Sequence, residues 1–148
     1  MRLHRTNVVE DCWHCQNAIP KKTLNTISVV KKKVSELKRW HWGQDNVSCE
    51  PSDDEIRIAV QARDFERRAF QDAAVEAELM GEQDLQKRHD RIRQYHARRI
   101  AYFVEHGWFD PIVLFEDEFW IKEGSHRLRA AKYRCMEKVD CVIFTPRR

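Results

Sequence analysis

The spacing of apolar and polar residues changes along the chain, and each change marks an element. Residues 1–26 hold no sustained period, contain Pro20 and several asparagines, and predict an irregular arm or a short strand laid on the body. Residues 27–37, Ile-Ser-Val-Val-Lys-Lys-Lys-Val-Ser-Glu-Leu, begin β-branched and turn charged, the pattern of an edge strand followed by a short turn of helix. The first strand and its loop span 27–52. A capping box, Ser52-Asp53-Asp54-Glu55, opens a helix there, because the serine hydroxyl and the glutamate carboxylate each satisfy a free backbone N–H. From Ile56 to Met80 the chain lacks Pro and Gly and is rich in Ala, Glu, Arg and Gln, which predicts helix up to Gly81, with a second helix resuming near Glu82. In that second helix Leu85, Ile92, Tyr95, Ile100, Phe103 and Val104 form an inward stripe, and Lys87, Arg88, Arg91 and Arg98 lie outside it. Gly107 is the expected stop of this 53–106 helical segment.

Beyond Gly107 the period shortens. Ile112-Val113-Leu114-Phe115 and Phe119-Trp120-Ile121, separated by Glu116-Asp117-Glu118, predict a buried β-hairpin with an acidic, solubilising turn. Gly124-Ser125-His126-Arg127 follows as the helix start, and Leu128 to Cys135 takes helical character with Leu128, Ala131 and Cys135 on one side. Residues 139–144 close as an apolar strand, for which the helix serves as crossover. The predicted class is α+β: a small mixed sheet with a long helical insertion.

At 148 residues, with 42% apolar and 34% charged side chains, one globular domain over 1–148 is the default and disorder is excluded. The longest run of large apolar residues, 112–115, is far short of the roughly 18–20 that span a bilayer, and the N-terminus has no signal-peptide core. A cytoplasmic protein without a membrane partner is expected. Five cysteines, an odd number, argue for reduced thiols. Net charge is only +3, but residues 1–42 carry nine basic against three acidic side chains. Lys31, Lys32, Lys33, Lys38 and Arg39 are therefore candidate nucleic-acid contacts, against the ordinary reading of a solvated edge.

Candidate chemistry concentrates at residues 124–127. A helix N-terminus presents unpaired N–H groups and the positive end of a dipole, so it suits phosphate. Gly124 allows close approach, Ser125 offers a hydroxyl, and His126 and Arg127 add positively polarised donors. The plain alternative is a capped helix with a surface arginine. Two other constellations are weaker: Cys12-Trp13-His14-Cys15 has half the spacing of a zinc site, with Cys49, His41 or His4 to complete it and no second half, so zinc at Cys12 and Cys15 is not expected. Trp40 and Trp42 among Lys38, Arg39 and His41 suit either a single-strand binder or a plugged core.

The order Gly107-Trp-Phe-Asp-Pro111-Ile112, acidic hairpin, Trp120-Ile121-Lys-Glu-Gly124-Ser-His126-Arg127 and Val139-Asp-Cys-Val-Ile-Phe resembles the ParB/sulfiredoxin-like domain family over roughly residues 98–144. The resemblance implies that a Gly-x-His-Arg box starts a helix that binds nucleotide phosphates: ATP or CTP with Mg²⁺ at Gly124, Ser125, His126 and Arg127. It also implies a carboxylate near the first strand, for which Glu36 is the match, so Glu36 and His126 are the catalytic candidates for phosphoryl transfer or NTP hydrolysis. Ser125 replaces the reactive cysteine of sulfiredoxins, and the chain ends at Arg148 where partition proteins continue into a helix-turn-helix. Neither sulfinic-acid reduction nor a partition clamp is therefore expected. The same cradle on a DNA backbone, as in a DNA-binding or nicking protein, is an alternative. An interaction protein with a degenerate pocket, forming a homodimer through its helical segment, is a second.

Overall fold

A computed structural model describes residues 28–39, 42–44 and 47–144. The architecture is α+β, and the chain divides into two units: residues 1–40 with Trp108–Arg148, and His41–Gly107 inserted between them in sequence.

The first unit is built on a four-stranded mixed sheet in the order β1-β6-β4-β5. Strand β1 (Val30–Lys33) forms one edge and leads into a 3-10 turn, Val34–Glu36, as the β-branched-then-charged segment predicts. Each lysine or valine of β1 faces a β6 partner: Val30 opposes Cys141, Lys31 opposes Asp140, Lys32 opposes Val139 and Lys33 opposes Lys138. β4 (Ile112–Leu114) and β5 (Ile121–Glu123) are antiparallel, and β4 runs parallel to β6 (Lys138–Ile143). Its helix, which we number α4 (Ser125–Tyr133), lies between β5 and β6 in sequence and makes the crossover. Leu128 and Ala131 of α4 pack with Ile112, Leu114, Ile121, Val139 and Cys141, and Val34 and Leu37 close the same core. That packing draws the segment after β1 against α4.

Two expectations for this unit change. Phe115 and Phe119 are not buried strand residues: they flank the turn and are 38% and 45% exposed. The turn itself is pinned by the Asp117 carboxylate, which accepts from the backbone of Phe119 and Trp120 and is held below the usual carboxylate range by those bonds. Cys135 is not on the inward side of α4; it is exposed and sits past the helix end with φ 56°, a left-handed conformation that satisfies the exit turn without a glycine.

The second unit comprises a two-stranded ribbon, β2 (Gly43–Gln44) with β3 (Val47–Ser48), and three helices: α1 (Asp53–Ala62), α2 (Ala73–Met80) and α3 (Leu85–His106). The capping box at Ser52 and Glu55 forms with both of its bonds. Ile56 to Met80 is not one helix, although no Pro or Gly interrupts it. Arg63 adopts φ 55° and ends α1, and the backbone of the next residues is captured by α3: Glu66 N–H donates to the Arg98 carbonyl, while the Arg68 carbonyl accepts from the Tyr95 hydroxyl and the Glu66 and Arg67 carbonyls from the Arg99 guanidinium. Tertiary acceptors and donors thus replace helical ones. Asp84 caps α3 three residues later than Gly81 alone would place it. Along α3, Ile92, Tyr95, Ile100 and Phe103 are buried as predicted, but Leu85 is 54% exposed and Arg99 is inside. Trp42 is buried, edge-on to His96, so it plugs this unit's core. No helix among the described residues is long and apolar enough to cross a membrane.

Candidate anion site at the start of helix α4

Residues Ile121 to Tyr133 form a strand, one glycine and a helix without a spacer, so the first amides of α4 open directly off the sheet. Gly124 is the N-cap with φ 113° and ψ 23°, a conformation that L side chains rarely adopt, and no side chain caps the helix. Ser125 therefore does not act as a cap, and the N–H groups of the first turn have no intrahelical acceptor.

Arg127 lies under this turn. It is 1% exposed, the largest fully buried side chain among the described residues. Its Nη1 donates to the backbone carbonyls of Asp110 at 2.6 Å and Pro111 at 2.9 Å, which ties the approach to β4 onto α4. Its Nε and Nη2 are buried and make no hydrogen bond. These two atoms form the side-on fork of the guanidinium, the geometry that grips a carboxylate or phosphate with two parallel bonds. They also point at the N-cap: a Cβ built on Gly124 would lie 3.1 Å from Nη2 and 3.3 Å from Nε, with Ile112 Cγ1 at 3.2 Å. The glycine is thus required twice, by its φ and by the guanidinium.

Ser125 and His126 are half-buried in the same turn. Along α4, half-buried Arg129 and exposed Lys132 follow Ser125 at i+4 and i+7. Burial and then the Arg129 charge pull Arg39 down to about 10. Burial, Arg39 and Arg129, in that order, lower Lys132.

The other predicted residues lie on β1, in the 3-10 turn and just after it. Glu36 is exposed in the 3-10 turn and makes no hydrogen bond or ion pair with α4. Lys31 pairs with Asp140 at 2.6 Å and Lys32 with Glu118 at 3.0 Å, while Lys33 and Lys38 are exposed, Lys38 lying over the Trp120 ring. Cys12, His14, Cys15, Trp40 and His41 lie outside the described residues. Among the described residues no three His, Cys, Asp or Glu side chains stand together as metal ligands. In the helical unit a groove of about 220 Å³ runs between α1 and α3, lined by Ile58, Ala62, Gln94 and Arg98 among others, and contains none of the predicted site residues.

Two features of the site were not read from sequence. The burial of Arg127 follows from Asp110 and Pro111 arriving beside α4, which no local pattern reveals. The placing of Arg129 and Lys132 along one side of α4 was in principle visible as an i+4, i+7 spacing from Ser125. No family model, curated protein or solved structure matches the chain.

Proposed function

We propose that the first turn of α4 binds the phosphates of a nucleotide, ATP or CTP, as the resemblance to ParB/sulfiredoxin-like domains implies. The observation that carries this reading is the Arg127 guanidinium: a cation taken out of water with its Nε and Nη2 fork left without acceptors beneath Gly124. Such a group is costly unless an anion meets it. The N–H groups of the first turn, which have no intrahelical acceptor, and the dipole add to the same field. A nucleotide phosphate fits this donor set, because its oxygens accept from the guanidinium and from the N–H groups of the first turn.

In this reading Arg127 and the amides of residues 125–127 hold phosphate, Ser125 supplies a hydroxyl, and His126 contacts an oxygen from the same turn. No step is derived through Glu36. Any Mg²⁺ would travel with the nucleotide, and no step is routed through it. The reading is tested by isothermal titration of ATP and of CTP into wild type and Arg127→Met. Binding by at least one nucleotide in the wild type and its loss in the variant support it; heat from neither nucleotide overturns it.

A second reading, a DNA backbone phosphate in the same turn, is favoured by one observation: Lys33 and Lys138, both exposed, stand directly opposite each other across β1 and β6, where like charges repel. Its mark would be DNA affinity that falls steeply and linearly on a log–log plot against salt.

A further inference from the structure

Apart from the start of α4, the helical unit carries a face that its own fold does not use. Asp54, Ile58 and Ala62 of α1 are spaced i, i+4, i+8 and so lie in one row, with Ile58 58% exposed at its middle. Beside the row runs the groove of about 220 Å³ between α1 and α3, where Ala59 and Ala97 are buried and where Ile58 and Ala62, both exposed, also line the opening. An apolar knob and an apolar hole thus adjoin on one face, and the alanines let a second helix approach closely. The charges around them stand in two pairs. Asp54 lies 3.2 Å from Arg57 at the start of the row, and Asp64 lies 3.9 Å from Arg98 beyond its end. The second pair is loose, since the Arg98 guanidinium makes no hydrogen bond among the described residues. Glu55, which lines the same groove, is by contrast joined to Arg93 at 2.9 Å.

We infer that this face joins two copies of the chain about a two-fold axis that passes beside Ile58. In such an isologous contact α1 runs antiparallel to its counterpart, and each Ile58 enters the other copy's groove beside Ala59, Ala62 and Ala97. The same symmetry sets the start of one row against the end of the other. Asp54 and Ala62 each lie four residues, about 6 Å of helix axis, from Ile58. Asp54 therefore meets the partner's Ala62 and the Arg98 beyond it, while Arg57 meets the partner's Asp64. Each loosely held charge gains an opposite one. An unrelated helix would have to bring both an acid for Arg98 and a base for Asp64 at this spacing, whereas a second copy supplies them from its own Asp54 and Arg57, so the occupant is the chain itself. A ten-residue helix and the groove beside it belong to the small class of interface, below about 1,200 Å², which makes the dimer reversible, with a Kd of about 10–100 µM.

Sedimentation velocity of the full chain, from about 5 to 500 µM, tests this with wild type, Ile58→Glu, Asp54→Arg and Arg98→Glu. Ile58 and Asp54 are exposed and Arg98 is half-buried, and circular dichroism verifies that each variant folds. Wild type should pass reversibly from monomer to dimer. Ile58→Glu should weaken the dimer at least about tenfold, and Asp54→Arg or Arg98→Glu alone about three- to tenfold, because each sets like charges together twice across the axis. A one-to-one mixture of Asp54→Arg and Arg98→Glu should return association to within about twofold of wild type, since the two reversed charges then face each other and the remaining Asp54 faces the remaining Arg98. Side chains that served only the fold of their own chain could not produce that recovery. A wild type that stays monomeric at about 500 µM overturns the inference and leaves the groove to a different protein's helix. A dimer indifferent to Ile58→Glu, or charge variants that weaken it without recovery on mixing, overturns it as well. Should a charge variant fail to fold, Ile58→Glu set against Ile58→Val decides, the valine variant keeping the dimer and the glutamate variant losing it.

Discussion

Replacing Arg127 with methionine separates a ligand-binding guanidinium from a structural strut. The two bonds from Nη1 to the Asp110 and Pro111 carbonyls each contribute about 1.5–3 kcal/mol as charge-assisted bonds, so about 3–6 kcal/mol together. Against them stand two buried N–H groups without acceptors, at about 1–3 kcal/mol each. Removing the cation from water costs several kcal/mol more. The unfavourable side is larger by about 2 kcal/mol, and methionine refills most of the stem's volume with an adaptable apolar chain. Without ligand, Arg127→Met should therefore be more stable than wild type by about 1–2 kcal/mol. Wild type should recover the difference when tripolyphosphate is present, since a ligand at a hundred times its Kd adds about 2.7 kcal/mol. Urea unfolding followed by far-ultraviolet circular dichroism, with and without tripolyphosphate, measures both. A variant destabilised by 2 kcal/mol or more, with a wild-type midpoint that the anion does not move, would show that Arg127 only ties the Asp110–Pro111 backbone to α4 and would refute the reasoning.

Gly124→Ala should destabilise by about 1–3 kcal/mol, because φ 113° strains any L side chain and the new methyl meets Arg127 and Ile112 at 3.1–3.3 Å; equal stability in chemical denaturation would contradict this. Cys135→Gly should stabilise by about 0.5–1 kcal/mol, since φ 56° costs a residue with a Cβ more than glycine loses in unfolded-state entropy, and a lower melting temperature would count against it. The Glu66 carboxylate is buried, which by itself raises its pKa, but side-chain and backbone bonds from Arg68 outweigh burial and hold it below the usual range. Its stabilisation is thus present above the unfolded value and lost as pH falls through the folded one, so unfolding free energy measured from roughly pH 6 to 3 should fall less steeply in Glu66→Gln than in wild type.

Local chemistry determined much of this protein. The β-branched start at Val30 followed by lysines became an edge strand and a 3-10 turn, Ser52 and Glu55 closed a capping box, and Gly107 (φ 69°) ended the long helix. The strand–Gly124–helix order was equally legible, because each of these depends on neighbours within about one turn. Tertiary structure decided what depends on distant partners. It ended α1 at Ala62 in a stretch with no breaker, because Tyr95, Arg98 and Arg99 of another helix took over the backbone bonds of residues 66–68. It left Leu85, Phe115 and Phe119 exposed although their spacing suited a core. At the site it drew Arg127 inward against the Asp110 and Pro111 carbonyls. A sequence names which groups can carry charge; whether a charge is buried, paired or left facing a vacant donor fork is set by residues far away in the chain that only folding brings near.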